Sequence, residues 1–581
     1  MDSCDTIIVG GGTAGCVLAN RLSADPRRKV LLIEAGRDVK PGAEGTALLD
    51  TYPSRAAFDP DNHWPGLRVQ TQPHLHNQPT APPLKTYEQA RLMGGGSSIN
   101  GQIAIRGTPE DYDEWETLGA TGWRWANVLP YFQKLETDLD FRGELHGQNG
   151  PIPIHRIPHA RWPEFSHAAA RAFGELGFHE ISDLNGRFED GYAPLTLSNN
   201  GRHRVSAAMA YLDTRTRARP NLQIWPDTQV RRVLMEGRRA IGVRLVVHGS
   251  ERDIHASQII VSAGALHSPA LLMHSGIGPG TELRSHGIEV VQHLPGMGSN
   301  LQEHPGVSLS AFIHRAARLR YTRRHIHVAL RYSSNLEGCP QSDMFMAAVA
   351  KSAWHPLGRQ IATFLTWINK AYSRGAVSLL SSDPAVEPTA SFNFLADARD
   401  LSRLKGAVHL MAKLLATSAL KGVVELPAPS SYSGFARALG RRTIGNYLLT
   451  APVSVAIDAL PPVRREFFRR AVAGGITLEA LLRSEDALED YVRIKSSGQW
   501  HACGTCRMGR RDDPDAVVEP TTGRVHGTEG LWLVDASIMP SAPRANINLP
   551  TVMLAERMSD LMISELPRSS TLQRESARST H

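Results

Sequence analysis

Thr6-Ile7-Ile8-Val9 runs directly into Gly10-x-Gly12-x-x-Gly15, and no other stretch restricts the fold of this chain so tightly. A short run rich in β-branched residues suits a strand buried on both faces of a parallel sheet. The first glycine permits a tight turn, the second lets the backbone approach a pyrophosphate, and the third lets the next helix close on the strand. Ala14, Val17, Leu18 and Leu22 give that helix one apolar stripe. Its N-terminus offers unpaired N–H groups and the positive end of a dipole to a phosphate. A second strand, Val30-Leu31-Leu32-Ile33, ends in Glu34, nineteen residues past Gly15, where an acid can bind ribose hydroxyls. Strand, loop, helix, strand and acid in this order predict a dinucleotide-binding βαβ unit. The turn by itself does not separate NAD from FAD.

The remaining length is large for one folding unit. At 581 residues the chain predicts two or more, and 41% hydrophobic with 21% charged residues predicts a globular protein with no spanning helix. The N-terminus enters its first strand with no basic and apolar leader pattern, which predicts a cytoplasmic location. Five cysteines are too few for a disulfide framework and are expected to be reduced. A net charge of +7 is spread along the chain, with its densest part at His314–His327. No nucleic-acid module accompanies that segment, so it reads as a solvated loop or surface, or as an attractor of an anionic substrate.

Further glycine turns follow. Arg91-Leu92-Met93-Gly94-Gly95-Gly96-Ser97-Ser98-Ile99-Asn100-Gly101 offers many unhindered donors, for a flat polar ligand or for a turn-rich loop. Tyr112, Trp115, Trp123 and Tyr131 fall in a helical pattern and read as core. Strand-rich residues 222–247 lead to Ile259–Gly264, a buried strand ending at small residues before a helix. Beyond residue 307 the pattern shifts to apolar strands, with a strand at Ala376–Leu380 and a helix over Arg403–Ala416. The expected organisation is a cofactor domain over 1–307, with substrate-side insertions near 155–200. A substrate domain follows over 308–497, then a C-terminal return over 498–566 and a disordered polar tail over 567–581.

Two clusters close the chain: His501-Ala502-Cys503-Gly504-Thr505-Cys506-Arg507-Met508-Gly509, and Asp535-Ala536-Ser537 through Asn546-Ile547-Asn548-Leu549-Pro550-Thr551. With the N-terminal fingerprint, the Arg91–Arg106 box, Gly264-x-x-x-Ser268-Pro269 with Ser275-Gly276-Ile277-Gly278, and Pro295-Gly296-Met297-Gly298-x-Asn300-Leu301, they make the chain resemble the glucose-methanol-choline (GMC) oxidoreductases over residues 1–566. The runs at 150–154, 201–212 and 546–551 look most like the bacterial branch of 5-hydroxymethylfurfural oxidase and related aryl-alcohol oxidases.

That resemblance implies an α/β, overall α+β, architecture: a Rossmann-like FAD domain with a discontinuous substrate domain built on an antiparallel sheet with helices. It implies FAD rather than NAD, and His501 as the general base with Asn546 as its partner. An imidazole suits removal of the hydroxyl proton as hydride leaves the carbon, and the amide can hold the alcohol oxygen. Cofactor contacts carry over to Gly10, Gly12, Thr13, Ala14, Gly15, Glu34, Ala35, Trp64, Arg91, Met93, Ser98, Asn100, Gly101, Gln102, Ile103, Val230, Asp535, Ala536, Asn546 and Asn548. Ile99 stands where some relatives have a histidine that bonds FAD covalently, which predicts dissociable FAD. Trp367, Gln499 and Trp500 are expected to wall the substrate pocket.

The activity implied is oxidation of a primary, aromatic or furanic alcohol to the aldehyde, with O₂ as acceptor. The alternative is a dehydrogenase passing electrons to a quinone or other carrier, and a non-redox lyase on the same fold is a third reading. The partners are then small molecules, with neither nucleic acid nor a membrane span, in a monomer or homodimer. Cys503-x-x-Cys506 lacks the further ligands a zinc site needs and reads as packing, so no metal is expected.

Overall fold

In the computed structural model, residues 3–72, 84–247, 249–320 and 322–565 are described. The tail expected at 567–581 lies outside them. Strand β1 (Ser3–Val9), helix α1 (Thr13–Leu22) and strand β2 (Val30–Ile33) form the predicted βαβ unit, with β1 and β2 parallel from Thr6–Val30 to Val9–Ile33. Every residue of β2 is buried, as a strand covered on both faces requires. Gly10 has φ +105, and a Cβ at Gly15 would lie 1.9 Å from the Gly10 carbonyl oxygen, so α1 closes on β1 where only hydrogen fits.

This unit sits inside a seven-stranded mixed sheet. Its order is Gln229–Glu236, Arg239–Val247, Ser250–Val261, β1, β2 and Leu222–Trp225, with Leu531–Leu533 beside the end of Ser250–Val261. The C-terminal helix Asn548–Glu565 packs on α1, so the end of the chain completes the layer begun by its start.

A second seven-stranded sheet is antiparallel throughout. It runs Val424–Ser430, Pro305–Ile313, Ile361–Ile368, Met344–Val349, Ile326–Tyr332 and Gly191–Pro194, with Ser497–Gly498 alongside Pro305 and Gly306. Helices Glu164–Glu175 and Ala398–Leu415 pack on one face. The other face turns Ala347, Leu365 and Trp367 toward a cavity that the first sheet closes from the opposite side. Both faces are therefore buried, and Met344–Val349 and Ile326–Tyr332 are buried at every position. Tyr112, Trp115 and Trp123 are core residues as expected, while Tyr131 is half-buried at its edge. The strand expected over Ala376–Leu380 is shorter, Ala376–Ser378, and belongs to a small separate sheet. Among the described residues no helix is long and apolar enough to cross a membrane.

The reading of His314–His327 as a solvated segment holds for Arg315, Arg320 and Arg323 and needs correction from Arg324 onward. Arg324 and His327 are about 1% exposed, and the Arg324 guanidinium donates to the carbonyls of Thr51, at 3.2 Å, and Gly101. Burial pulls its pKa down to about 9. Arg318 pairs with Asp458, and Arg323, though paired with Asp50, is exposed like Arg315 and Arg320. Backbone carbonyls supply the partners that charge density along the sequence suggested water would provide.

Candidate active site

The cavity, about 520 Å³, runs from the carboxyl ends of the parallel strands to the inner face of the antiparallel sheet. Its wall contains Gly10, Gly12, Thr13, Ala14, Glu34, Ala35, Trp64, Asn100, Gly101, Gln102, Ile103, Val230, Asp535, Ala536, Asn546 and Asn548, together with Trp367, Gln499, Trp500 and His501. Residues from 10 to 548 thus meet at one place. Gly15, Arg91, Met93 and Ser98 stand behind this wall instead. Gly15 is spent on the helix–strand contact; Met93 packs its sulfur against Gly11; Ser98 donates to the Met93 carbonyl at 2.8 Å. Arg91 stacks on Trp64 with its guanidinium carbon 5.0 Å from the ring centre.

Three glycines keep the wall open. A Cβ at Gly96, which also lines the cavity, would meet no protein atom within 4 Å, and at Gly12 and Gly101 the nearest are 3.9 and 4.0 Å away. Side chains at these three positions would occupy the space a ligand takes. Gly12 caps α1 without any side-chain cap, so the first N–H groups of this helix face the cavity unpaired by a side chain. Glu34 closes the turn: its carboxylate accepts from the Gly11 and Gly36 N–H groups, each at 2.8 Å, and burial raises its pKa against the pull of those bonds. Asp535 is already engaged, accepting from Gly264 N at 2.8 Å, Ser268 Oγ at 2.6 Å and Ser537 N at 2.7 Å. It shapes the wall by holding the Gly264 turn. Two buried guanidiniums brace the Gly96–Ile99 helical turn and the residues after it: Arg204 donates to Ser97 O at 3.1 Å and Asn100 Oδ1 at 2.8 Å, and Arg324 to Gly101 O.

At the far end Gln302 and Cys503 exchange backbone hydrogen bonds of 2.9 and 3.1 Å, which sets residues 302–304 against 501–503. His501 is buried there between two partners. Its Nε2 lies 2.9 Å from Asn546 Nδ2, and its Nδ1 lies 2.9 Å from His304 Nδ1. An amide nitrogen can only donate, so Nε2 is the bare nitrogen of a neutral imidazole and Nδ1 carries the proton. His304 Nδ1 must then accept. Burial drives His501 well below the usual histidine range, with the neighbouring His304 adding to the effect; burial likewise takes His304 down to about 3. Nε2 is unprotonated and lies in the cavity wall, and its one lone pair, here accepting from Asn546, becomes a proton acceptor once that N–H turns to another oxygen. Asn546 Oδ1 is buried without a partner, and the second amide hydrogen is also uncommitted, so this residue retains polar capacity for a ligand.

Glu303, which the sequence did not single out, holds the loop carrying His501. Its carboxylate accepts from the backbone N–H of His304 at 2.7 Å, Gln499 at 3.2 Å and His501 at 2.9 Å, and from the Tyr87 hydroxyl. Burial raises its pKa to about 7. Trp500, at φ +61, swings out to the rim, 39% exposed, where its indole N–H donates to Glu88 at 3.0 Å. Trp367 presents a face to the cavity yet is 2% exposed, packed 4.8 Å from the Phe345 ring and bonded to Asn369 Oδ1 at 2.9 Å. Cys503 and Cys506 are fully buried, Cys506 against the Met297 sulfur at 3.4 Å, and burial pushes the Cys503 thiol up to about 12. None of the five cysteines forms a disulfide.

Glu136, Asp138 and His146 also cluster, with ligand atoms within 4.8 Å of one another. Their charges are met from within the protein. Arg106 pairs with Glu136, Arg156 with Asp138 and Asp183, and hydrogen bonds to Asp138, Asp183 and Glu136 overcome burial to raise His146 to about 10.

Residues 4–306 and 371–555 match the N- and C-terminal parts of the GMC oxidoreductase family. The chain is 40% identical to 5-(hydroxymethyl)furfural oxidase of Methylovorus sp. over 572 residues, 97% of this chain and 99% of that protein. It is 30% identical to oxygen-dependent choline dehydrogenase of Brucella anthropi over 609 residues, covering 97% and 96% of the two. The crystal structure of pyridoxine 4-oxidase from Mesorbium loti superposes with a TM-score of 0.78 at 27% identity, over 97% of this chain and all of that one. The cavity runs from the glycine turn after β1 to His501, and the chain belongs to the GMC oxidoreductase family, as an FAD-dependent enzyme of alcohol oxidation.

Proposed function

We propose that the enzyme oxidises a primary aromatic or furanic alcohol to its aldehyde, with O₂ as the acceptor, reduced to H₂O₂. The bare Nε2 of His501 beside Asn546, at the end of the cofactor cavity, carries this reading. FAD, when bound, accepts the hydride lost by the carbinol carbon. His501 Nε2 takes the hydroxyl proton, and Asn546 directs its free N–H to the alcohol oxygen. His304 keeps His501 in the tautomer that leaves Nε2 open, and Glu303 keeps the backbone of 499–501 in place. Trp367, Gln499 and Trp500 wall the substrate side, where two indoles suit a flat alcohol. Likeness to the furfural oxidase supports the substrate class and the acceptor.

The glycine wall holds FAD, and Ile99, 7% exposed in that wall, offers no nucleophile, so the cofactor is non-covalent. A cofactor domain over 1–307, a substrate domain over 308–497 and a return over 498–566 are supported by the two sheets, the second of which also recruits Gly191–Pro194 from the 155–200 insertion. Five unpaired cysteines fit the cytoplasm. The test is anaerobic mixing with a panel of alcohols, read at the flavin band, followed by admission of air. Aromatic and furanic primary alcohols should bleach the flavin, and air should restore it with stoichiometric peroxide. A flavin that no alcohol bleaches would overturn the reading. One that bleaches but reoxidises only with a quinone or dye would replace the oxidase by a dehydrogenase.

A further inference from the structure

Helix Ile444–Ala459 is turned inside out. Its inward stripe is Thr450, Ser454 and Ile457, while Ile444, Tyr447, Leu448, Leu449 and Val455 face outward. Ile444 is 81% exposed, Val455 68% and Leu448 64%, and Phe435 on the preceding helix Gly434–Gly440 is 62% exposed. Positions 444, 448, 451 and 455 form one stripe along the helix, so these apolar groups make a continuous face rather than scattered residues. Such a face is covered by something in use.

Charge identifies the cover. Between residues 433 and 475 the chain has seven arginines and two acids, a net +5 within a protein of net +7. Arg441, Arg442, Arg465, Arg469 and Arg470 are exposed, the last two paired with Glu466. Arg437 and Arg464 pair with Glu88 and Glu425, so a second copy docked face to face would set Arg441, Arg442 and Arg465 against their own like charges. A bilayer with anionic headgroups meets both features at once, its acyl boundary taking the apolar stripe and its phosphates the arginines. We propose that residues 434–472 dock this enzyme onto an anionic lipid surface, lying in the interface without crossing it.

The docked face adjoins the cavity. A Cβ at Gly440 would touch the Phe58 ring at 3.1 Å, and the Gly440 carbonyl accepts from the Trp354 indole at 2.9 Å. Phe58 stacks on Tyr432 at 6.0 Å, and both line the cavity next to Trp500. Docking thus sets the aromatic rim of the site beside the membrane.

The experiment sediments the FAD-loaded enzyme with phosphatidylcholine vesicles, with and without phosphatidylglycerol, at low and high salt. Binding to the anionic vesicles, release by salt, and none to the neutral ones is expected. Replacing Arg441, Arg442 and Arg465 together by Gln should lower the partition coefficient by roughly 10²-fold. Leu448→Ser with Val455→Ser should also release the enzyme, and unchanged turnover of a water-soluble aromatic alcohol reports that this variant is folded. Wild-type enzyme that stays in the supernatant with anionic vesicles would overturn the proposal. So would a solution dimer that the Leu448→Ser, Val455→Ser variant dissociates, since a second copy would then be the cover.

Discussion

Replacing His304 by Leu removes the acceptor of the His501 Nδ1 proton while leaving Nε2 and Asn546 in place. The lost bond is a 2.9 Å contact between buried rings. An unmet buried N–H costs about 1–3 kcal/mol, and the imidazole escapes that cost by moving its proton to Nε2, where Asn546 can turn Oδ1 to accept it. That tautomer has no open nitrogen for the alcohol proton. At about 1.4 kcal/mol per factor of ten, the competent fraction falls by roughly 5- to 150-fold. Stopped-flow reduction of the flavin by a saturating aromatic alcohol, without oxygen, measures the step directly. Tautomers exchange with no net proton uptake, so the loss should be the same across the plateau of the pH profile. His304→Asn, which restores an acceptor oxygen, should recover part of the rate. A folded, yellow His304→Leu variant that reduces its flavin at the wild-type rate would refute the tautomer argument.

Other expectations follow from the same geometry. Since the proposed base His501 must be neutral to accept a proton and burial depresses its pKa, the acid limb of kcat/KM should lie below pH 6.5; a limb above that value would contradict the proposal. Gly96→Ala should leave the apoprotein as stable as before and weaken FAD at least about tenfold, read by flavin titration of apoprotein, since its Cβ points into the cavity; unaltered affinity would put the cofactor elsewhere. The His146 network should give a pH-dependent Tm. His146 is raised to about 10 in the folded protein, so its contribution is complete below pH 6.5 and lost as pH climbs through 10; Asp183 is lowered, so its contribution is present above about pH 4 and lost on acidification. His146→Phe should flatten the alkaline limb of the Tm profile.

Local chemistry was legible along the chain. The run from Thr6 to Glu34 carries its own fold, because strand burial, glycine turn and helix face are each decided within a few residues. The Arg91–Gly101 box and the 501–509 and 535–551 clusters were legible as a set through a family resemblance, and the cavity does bring them together. Gly15, Arg91, Met93 and Ser98 stand behind the cavity wall, a placement that position along the chain does not show.

What tertiary structure alone decided are relations between distant or outwardly similar residues. His304 and Glu303 bear no spacing to His501 that a motif could show, 197 and 198 positions away, yet a pair of backbone bonds at Gln302–Cys503 makes them its hydrogen-bond partners. Arg324 looked solvated because charges ordinarily are, until carbonyls from Thr51 and Gly101 closed around it. The helix at 444–459 has the apolar content of a core helix, and which stripe faces inward depends on its neighbours, not on its own residues. Sequence determines periodicity and turn chemistry because these act through bonds a few residues apart. Partnership and exposure depend on which surfaces the folded chain brings together.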